Sequence, residues 1–230
     1  MSVILSVRHL TKEYEKFTLD DLSFEVESGM IMGLIGRNGA GKTTTMKSIL
    51  NLTPISGGEI LYFGQNLRDH EANIKEQIGY AGGAVDYYKK KKLRDIVHIT
   101  KTFYGSWSDV LYKKYAKLFD LDAEKTPAQL SQGMRVKLNL AIALSHGAKL
   151  LILDEPTSGL DPVSREALLE IFRYLAREGV AILFSTHITS DLDKCADAIT
   201  YIRKGKMAFT GPMELYIQQC REQGSPVAAL

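Results

Sequence analysis

Residues 36–44, Gly36-Arg37-Asn38-Gly39-Ala40-Gly41-Lys42-Thr43-Thr44, fit the spacing G-x-x-x-x-G-K-[ST] without a gap. A chain carrying this stretch must present a strand, a glycine loop and a helix in that order. The flanks meet the requirement. Met30-Ile31-Met32-Gly33-Leu34-Ile35 is a short apolar run that reads as a buried parallel strand, and Thr44 to Leu50 reads as a helix. The glycines let successive N–H groups converge on an anion, and the helix start adds the positive end of its dipole. Lys42 supplies a mobile positive charge, and the Thr43 hydroxyl is a candidate Mg²⁺ ligand. The plain alternative, a glycine turn beside a surface lysine, does not account for the strand and helix around it. Phosphate is therefore the first ligand expected, held by Gly36, Asn38, Gly39, Ala40, Gly41, Lys42, Thr43 and Thr44.

At 230 residues the chain suits one α/β domain, alone or with a subdomain inserted into it. The net charge of +2 gives no argument for nucleic acid, and no nucleic-acid partner is expected. Cys195 and Cys220 are the two cysteines, and no histidine stands at metal-ligand spacing, so neither a disulfide framework nor a zinc site is suggested. No apolar run approaches the ~20 residues of a spanning helix, and the N-terminus lacks the pattern of a signal peptide. A membrane role would need another chain to do the spanning.

Residues 3–10 and 17–26 alternate apolar and polar positions and read as two half-buried antiparallel strands. Tyr14 lies between them, and it either stacks on a base or packs on a loop. After the phosphate loop, Glu59 to Gly64 reads as a strand, and Ile78-Gly79-Tyr80 ends another. Residues 84–130 read as a helical insertion in which Leu111, Tyr115, Leu118 and Phe119 form one apolar stripe. A second helix start follows at Leu130-Ser131-Gln132-Gly133-Met134, where Ser131 is a good N-cap and Gly133 permits close approach.

Leu150-Leu151-Ile152-Leu153 is an apolar strand that delivers Asp154 and Glu155 to its C-terminal end, where open α/β sheets bind ligands. Asp154 is placed to hold Mg²⁺ through water, and Glu155 to reach a water attacking a phosphate. A third buried strand, Gly179 to Phe184, brings Ser185-Thr186-His187 to the same edge. A lone histidine is more often structural, but this delivery favours function. The end of the chain reads as a hairpin about residues 203–206, a short helix near residues 213–219, and a mobile tail over residues 221–230.

Together these motifs resemble the nucleotide-binding subunit of an ABC transporter over about residues 3–215. The resemblance implies a P-loop NTPase core with a mixed sheet, an N-terminal antiparallel β subdomain and an α-helical subdomain inserted at about residues 84–148. It implies ATP and Mg²⁺ as cofactors, Thr43 and Asp154 at the metal, Glu155 and His187 as the catalytic pair, and Tyr14 as the base-stacking aromatic. The family signature, usually L-S-G-G-Q, matches Leu130 to Met134, and the D-loop matches Ser158 to Asp161. Two such domains are then expected to meet head to tail, with Ser131 and Gly133 acting on the ATP of the opposite subunit. The second subunit would be another copy or a paralogue.

Two departures stand out. The signature carries Gln132 and Met134 at its third and fifth positions, which leaves Ser131 and Gly133 in place. The family's glutamine after the Ile-Gly-Tyr segment is replaced by Gly83, which has no side chain for metal or partner. The short chain resembles export subunits that pair with an integral membrane protein at the cytoplasmic face of the membrane. Peptide, drug and lipid cargoes are the expected class, and an iron–sulfur assembly ATPase is the competing one. Residues 84–107 join Tyr87, Tyr88 and the four lysines Lys89 to Lys92 to Trp107, and they read either as a solvated loop or as the surface that meets the membrane partner.

Overall fold

The structure is a computed structural model that describes residues 2–82 and 88–222, without the side chain of Arg68. Among these residues ten strands form one sheet in the order β5-β4-β1-β2-β10-β9-β3-β8-β7-β6. Its centre is parallel. Strand β3 (Ile31–Ile35) lies between β8 (Ala181–Thr186) and β9 (Ala198–Arg203), and β7 (Leu150–Asp154) joins β8 to β6 (Ile78–Gly82). Strands β3, β7 and β8 are buried along almost their whole length because helices cover both faces.

One face packs under α5 (Gln132–Ser145) and α6 (Pro162–Arg177), with Leu140, Leu144, Leu169 and Phe172 in a core shared with Leu151, Leu153 and Phe184. The other face takes Met46 and Ile49 of α1 (Lys42–Ile49) together with the N-terminal strands β1 (Val3–Tyr14), β2 (Phe17–Glu27) and β4 (Gly57–Tyr62). Those three strands pair antiparallel, and alternate residues such as Leu5, Val7, Leu22 and Phe24 point into the core. The outermost strand, β5 (Gln65–Asn66), extends this wing beyond β4.

The inserted helices are α3 (Leu93–Thr100), α4 (Asp109–Leu118) and α5. Leu93, Ile96, Leu130 and Leu138 give them a small core of their own. The apolar stripe expected on α4 holds at three of its four positions: Tyr115 and Phe119 are buried and Leu111 is half-buried, but Leu118 is 54% exposed. Leu118 sits in the last turn and lines a groove beside Tyr174 of α6 instead of entering the core.

Three helices are missing from the sequence reading, α2 (Leu67–Lys75), α6 and the short α7 (Thr189–Cys195). The loop expected around Tyr14 is also shorter, because β1 runs on to Tyr14 itself and only Glu15 and Lys16 turn. Near the C-terminus, α7 (Thr189–Cys195) precedes β9, and β10 (Lys206–Pro212) completes the expected hairpin around Lys204 and Gly205. Finally α8 (Met213–Glu222) takes in Arg221 and Glu222, the first two residues of the expected tail; the rest of that tail lies outside the described residues.

Candidate functional site

The loop of residues 36–41 is shaped by close packing. A Cβ on Gly36 would lie 2.5 Å from the Ile202 carbonyl oxygen, so only glycine lets the loop leave β3 there. Gly41 takes φ +120 as the N-cap of α1 and has no side chain to cap the helix, which leaves first-turn N–H groups for a ligand. Thr43 is exposed at this point, while Thr45 is buried and its hydroxyl donates to the Gly41 carbonyl at 3.0 Å.

Lys42 is only 6% exposed, and its Nζ donates to the Gly36 carbonyl at 2.7 Å. The same ammonium lies 3.3 Å from Glu155 Oε1. Glu155 Oε2 in turn accepts from His187 Nδ1 at 2.7 Å, and because an ionised carboxylate only accepts, Nδ1 carries a proton. A cation, a carboxylate and an imidazole from three separate segments thus meet at one sheet edge. They line a cavity of about 650 Å³ with Arg37, Asn38, Gly39, Thr44 and Ser158.

Asp154 ends β7 with its Oδ1 accepting from the Ser185 hydroxyl, and Ser185 is also the partner of the Glu155 N–H at 2.9 Å. Its donor type suits Mg²⁺, which prefers hard oxygen ligands, and Thr43 adds a hydroxyl at the start of α1. Asp154 also lines a second cavity of about 420 Å³, between β7 and α5, which shares Glu155 and Ser158 with the first. Tyr80 on β6 stands beside it; burial, and then the Asp154 carboxylate, hold its phenol above the usual value.

Ser131 and Gly133 do not line the loop cavity. The Ser131 hydroxyl accepts from the Met134 N–H at 3.2 Å, so it caps α5, and Gly133 packs near Leu160. Asp161 caps α6 by accepting from Val163 and Ser164 N–H at 3.1 and 3.0 Å. Hydrogen bonds from Ser164 lower its carboxyl below the usual range.

Tyr14 is 46% exposed with Lys12 Nζ 5.1 Å from its ring centroid, and it does not line the cavity either. Phe17 does. Its ring lies against Gly41, and it is the aromatic residue that sequence reasoning missed; the signal was its position at the start of β2, just across the turn from Tyr14.

Gly83, and residues 84–87 of the basic-aromatic stretch including Tyr87, lie outside the described residues. Lys92 corrects the picture of four lysines facing a partner, because its Nζ donates to Glu124 at 2.7 Å. Trp107 is likewise engaged, with its indole N–H donating to Asp109 at 2.8 Å, and Tyr104 stacks on His146 at 3.9 Å. Phe103 and Val110, 76% and 78% exposed, are the large apolar residues that this subdomain shows most to solvent among the described residues. Both cysteines are free; burial pushes the Cys195 thiol up to about 12. Among the described residues no His, Cys, Asp and Glu cluster forms a metal site, and no helix is long and apolar enough to cross a membrane.

A family model described as ABC transporter matches residues 19–158, more than half of the chain. The bacitracin transport ATP-binding protein BcrA of Bacillus licheniformis is 34% identical over 211 residues, 90% of this chain and 69% of that protein. The lantibiotic transport ATP-binding protein SrtF of Streptococcus pyogenes is 34% identical over 89% of both chains. A solved ATP-binding subunit of an ABC transporter superposes with a TM-score of 0.86 at 29% identity, covering 97% of this chain and 96% of its own.

Proposed function

The chain belongs to the ABC transporter family as an ATP-binding and ATP-hydrolysing subunit, and from that premise we propose that it powers export of amphipathic or antimicrobial peptides, drugs or lipids. The relatives named for bacitracin and lantibiotic transport support this cargo class. A relative named for Nod factor export, 33% identical, adds a further export subunit to the same group. None of these three relatives is named for iron–sulfur assembly, the competing role.

The observation that carries the mechanism is the Lys42–Glu155–His187 contact. Phosphate competes with Glu155 for the Lys42 ammonium, so nucleotide entry exchanges one anion for another beside a buried cation. The carboxylate this frees is the group at the edge able to orient a water on the γ-phosphate and take its proton. His187, already within hydrogen-bond reach, fixes the direction of that carboxylate. Thr43 and Asp154 would hold Mg²⁺, which offsets phosphate charge when bound.

Ser131 and Gly133 act on a nucleotide held by a second subunit, in a head-to-tail pair. Support comes from their absence from this chain's own loop cavity and from the position of α5, whose first turn packs on residues 159–160. The membrane partner docks at the cytoplasmic face on the α3–α4 surface, where Phe103 and Val110 are exposed.

Glu155→Gln tests the central step. It should bind ATP yet lose at least ~10²-fold in turnover. Near-normal turnover in a steady-state phosphate-release assay would remove Glu155 from its role.

A further inference from the structure

We propose that Ser185 is a positioning residue for the carboxylate pair Asp154 and Glu155. The role rests on the reading of Glu155 as the group that orients the attacking water.

Ser185 lies on β8 in register with Asp154 on β7. Its side chain is fully buried and does not line the nucleotide cavity, so it acts only through its neighbours. A hydroxyl has one hydrogen to give and lone pairs to receive, and here both are used. The Ser185 hydroxyl donates to Asp154 Oδ1 and accepts from the Glu155 N–H at 2.9 Å.

The second bond matters because of the Glu155 backbone. Glu155 takes φ 50, a left-handed conformation that a residue with a side chain enters only at a cost. That conformation turns the chain sharply as it leaves β7, and the carboxylate then reaches Lys42 at 3.3 Å and His187 at 2.7 Å. With the Glu155 N–H pinned to a strand hydroxyl, the turn is held from outside the cavity. The first bond fixes Asp154 Oδ1 and so the direction in which the other carboxylate oxygen faces. One buried hydroxyl therefore orients both carboxylates from behind.

The test uses the full chain with Ser185→Ala, alone and combined with Glu155→Gln, and with Ser185→Thr as the variant that keeps the hydroxyl. Ser185→Ala should lower kcat about 10- to 100-fold while KM for ATP moves less than about 3-fold. In the Glu155→Gln background, single-turnover hydrolysis should show a clearly smaller further loss, because one of the two carboxylates being positioned is already disabled. Ser185→Thr should recover turnover to within about 5-fold of the parent. Equilibrium titration gives a readout apart from turnover: the gain in ATP affinity that Mg²⁺ confers should shrink in Ser185→Ala, with metal-free ATP binding unchanged.

An unchanged kcat in a folded Ser185→Ala protein would overturn the proposal. So would an equal fold loss in both backgrounds, or a threonine variant no better than alanine. Where alanine does not fold, Ser185→Cys keeps the volume, weakens both hydrogen bonds and carries the same comparison. If Glu155→Gln alone keeps its turnover, the Glu155 reading fails first, and that outcome is separate from a failure of Ser185.

Discussion

Helix α1 begins at Gly41 and α5 at Ser131-Gln132-Gly133, each beside a glycine, and their beginnings differ. Gly41 offers no capping side chain, so the positive end of α1 is open to an incoming anion; a buried lysine and an exposed threonine occupy the next two positions. Ser131 caps α5 with its own hydroxyl, which accepts from the Met134 N–H. The first gathers open N–H groups, a cation and a hydroxyl at one cavity within one chain. The second satisfies itself in the single chain, and in the head-to-tail arrangement proposed above it becomes half of a site only against another surface. A glycine near a helix start is therefore not one signal but two, and the residue at the N-cap tells them apart.

The largest expected effect breaks the first site alone. Lys42→Ala removes the buried cation and leaves the Glu155 carboxylate with His187 as its only partner of the two. ATP affinity should fall about 10²-fold or more, since charge-assisted contacts to phosphate are the strong ones. Titration with a fluorescent ATP analogue reads this directly. Affinity within about 3-fold of the parent would mean that backbone N–H groups alone hold the phosphates.

A smaller effect sharpens the contrast from the other side. Ser131→Ala should leave ATP affinity of the dilute single chain unchanged, because Ser131 does not line the loop cavity. Two losses are expected instead. Removing the cap should cost about 1 kcal/mol of stability, read by denaturant unfolding. Turnover at concentrations that favour pairing should drop about 10-fold, through the lost contact with the partner's nucleotide. If the dilute chain also lost affinity, the two helix starts would be serving one nucleotide, and the head-to-tail arrangement would have to be abandoned.

The contrast is partly legible in the sequence. Spacing alone locates Gly36 to Thr44, the strand ends at Asp154 and His187, and the cap at Ser131, because each depends on local chain geometry. Alternation exposes β1 and β2, although not that β1 continues to Tyr14. What escapes depends on contacts between distant segments. Phe17 faces the cavity because β2 crosses beside Gly41, and Ser185 meets Asp154 because β7 and β8 share a register; neither follows from neighbours in sequence. Lys92 looks like part of a free basic run until Glu124, 32 positions away, takes it up. Leu118 fits the α4 stripe by period but lies at the helix end, where the core no longer covers it. The missed helix α6 is nonetheless legible, since Leu168, Leu169, Phe172 and Leu175 repeat with helical period behind an Asp-Pro start.

Asp161 gives the smallest and most local test, on another helix start capped by a side chain. Its carboxylate accepts from Val163 and Ser164 N–H; hydrogen bonds from the Ser164 side chain, then from the Ser164 and Val163 N–H groups, favour the charged form, which is why its carboxyl lies below the usual aspartate range. The sign follows from linkage. The folded state binds its proton more weakly than the unfolded state, so the stabilisation is complete above the unfolded aspartate value of about 3.9 and is lost as pH falls through the lower folded value. Asp161→Ala should therefore lower the thermal midpoint at pH 7, and the gap to the parent should close as the medium is acidified below pH about 3.9. Asp161→Asn keeps a capping oxygen without the charge, so its gap at pH 7 should be smaller and should close in acid as the parent's carboxylate takes up its proton. A gap for Asp161→Ala that stayed constant into acid would show that this cap works through geometry alone. It would then join Ser131, whose neutral hydroxyl has no charge to lose, and the three helix starts would divide into one open to anions and two closed by their own side chains.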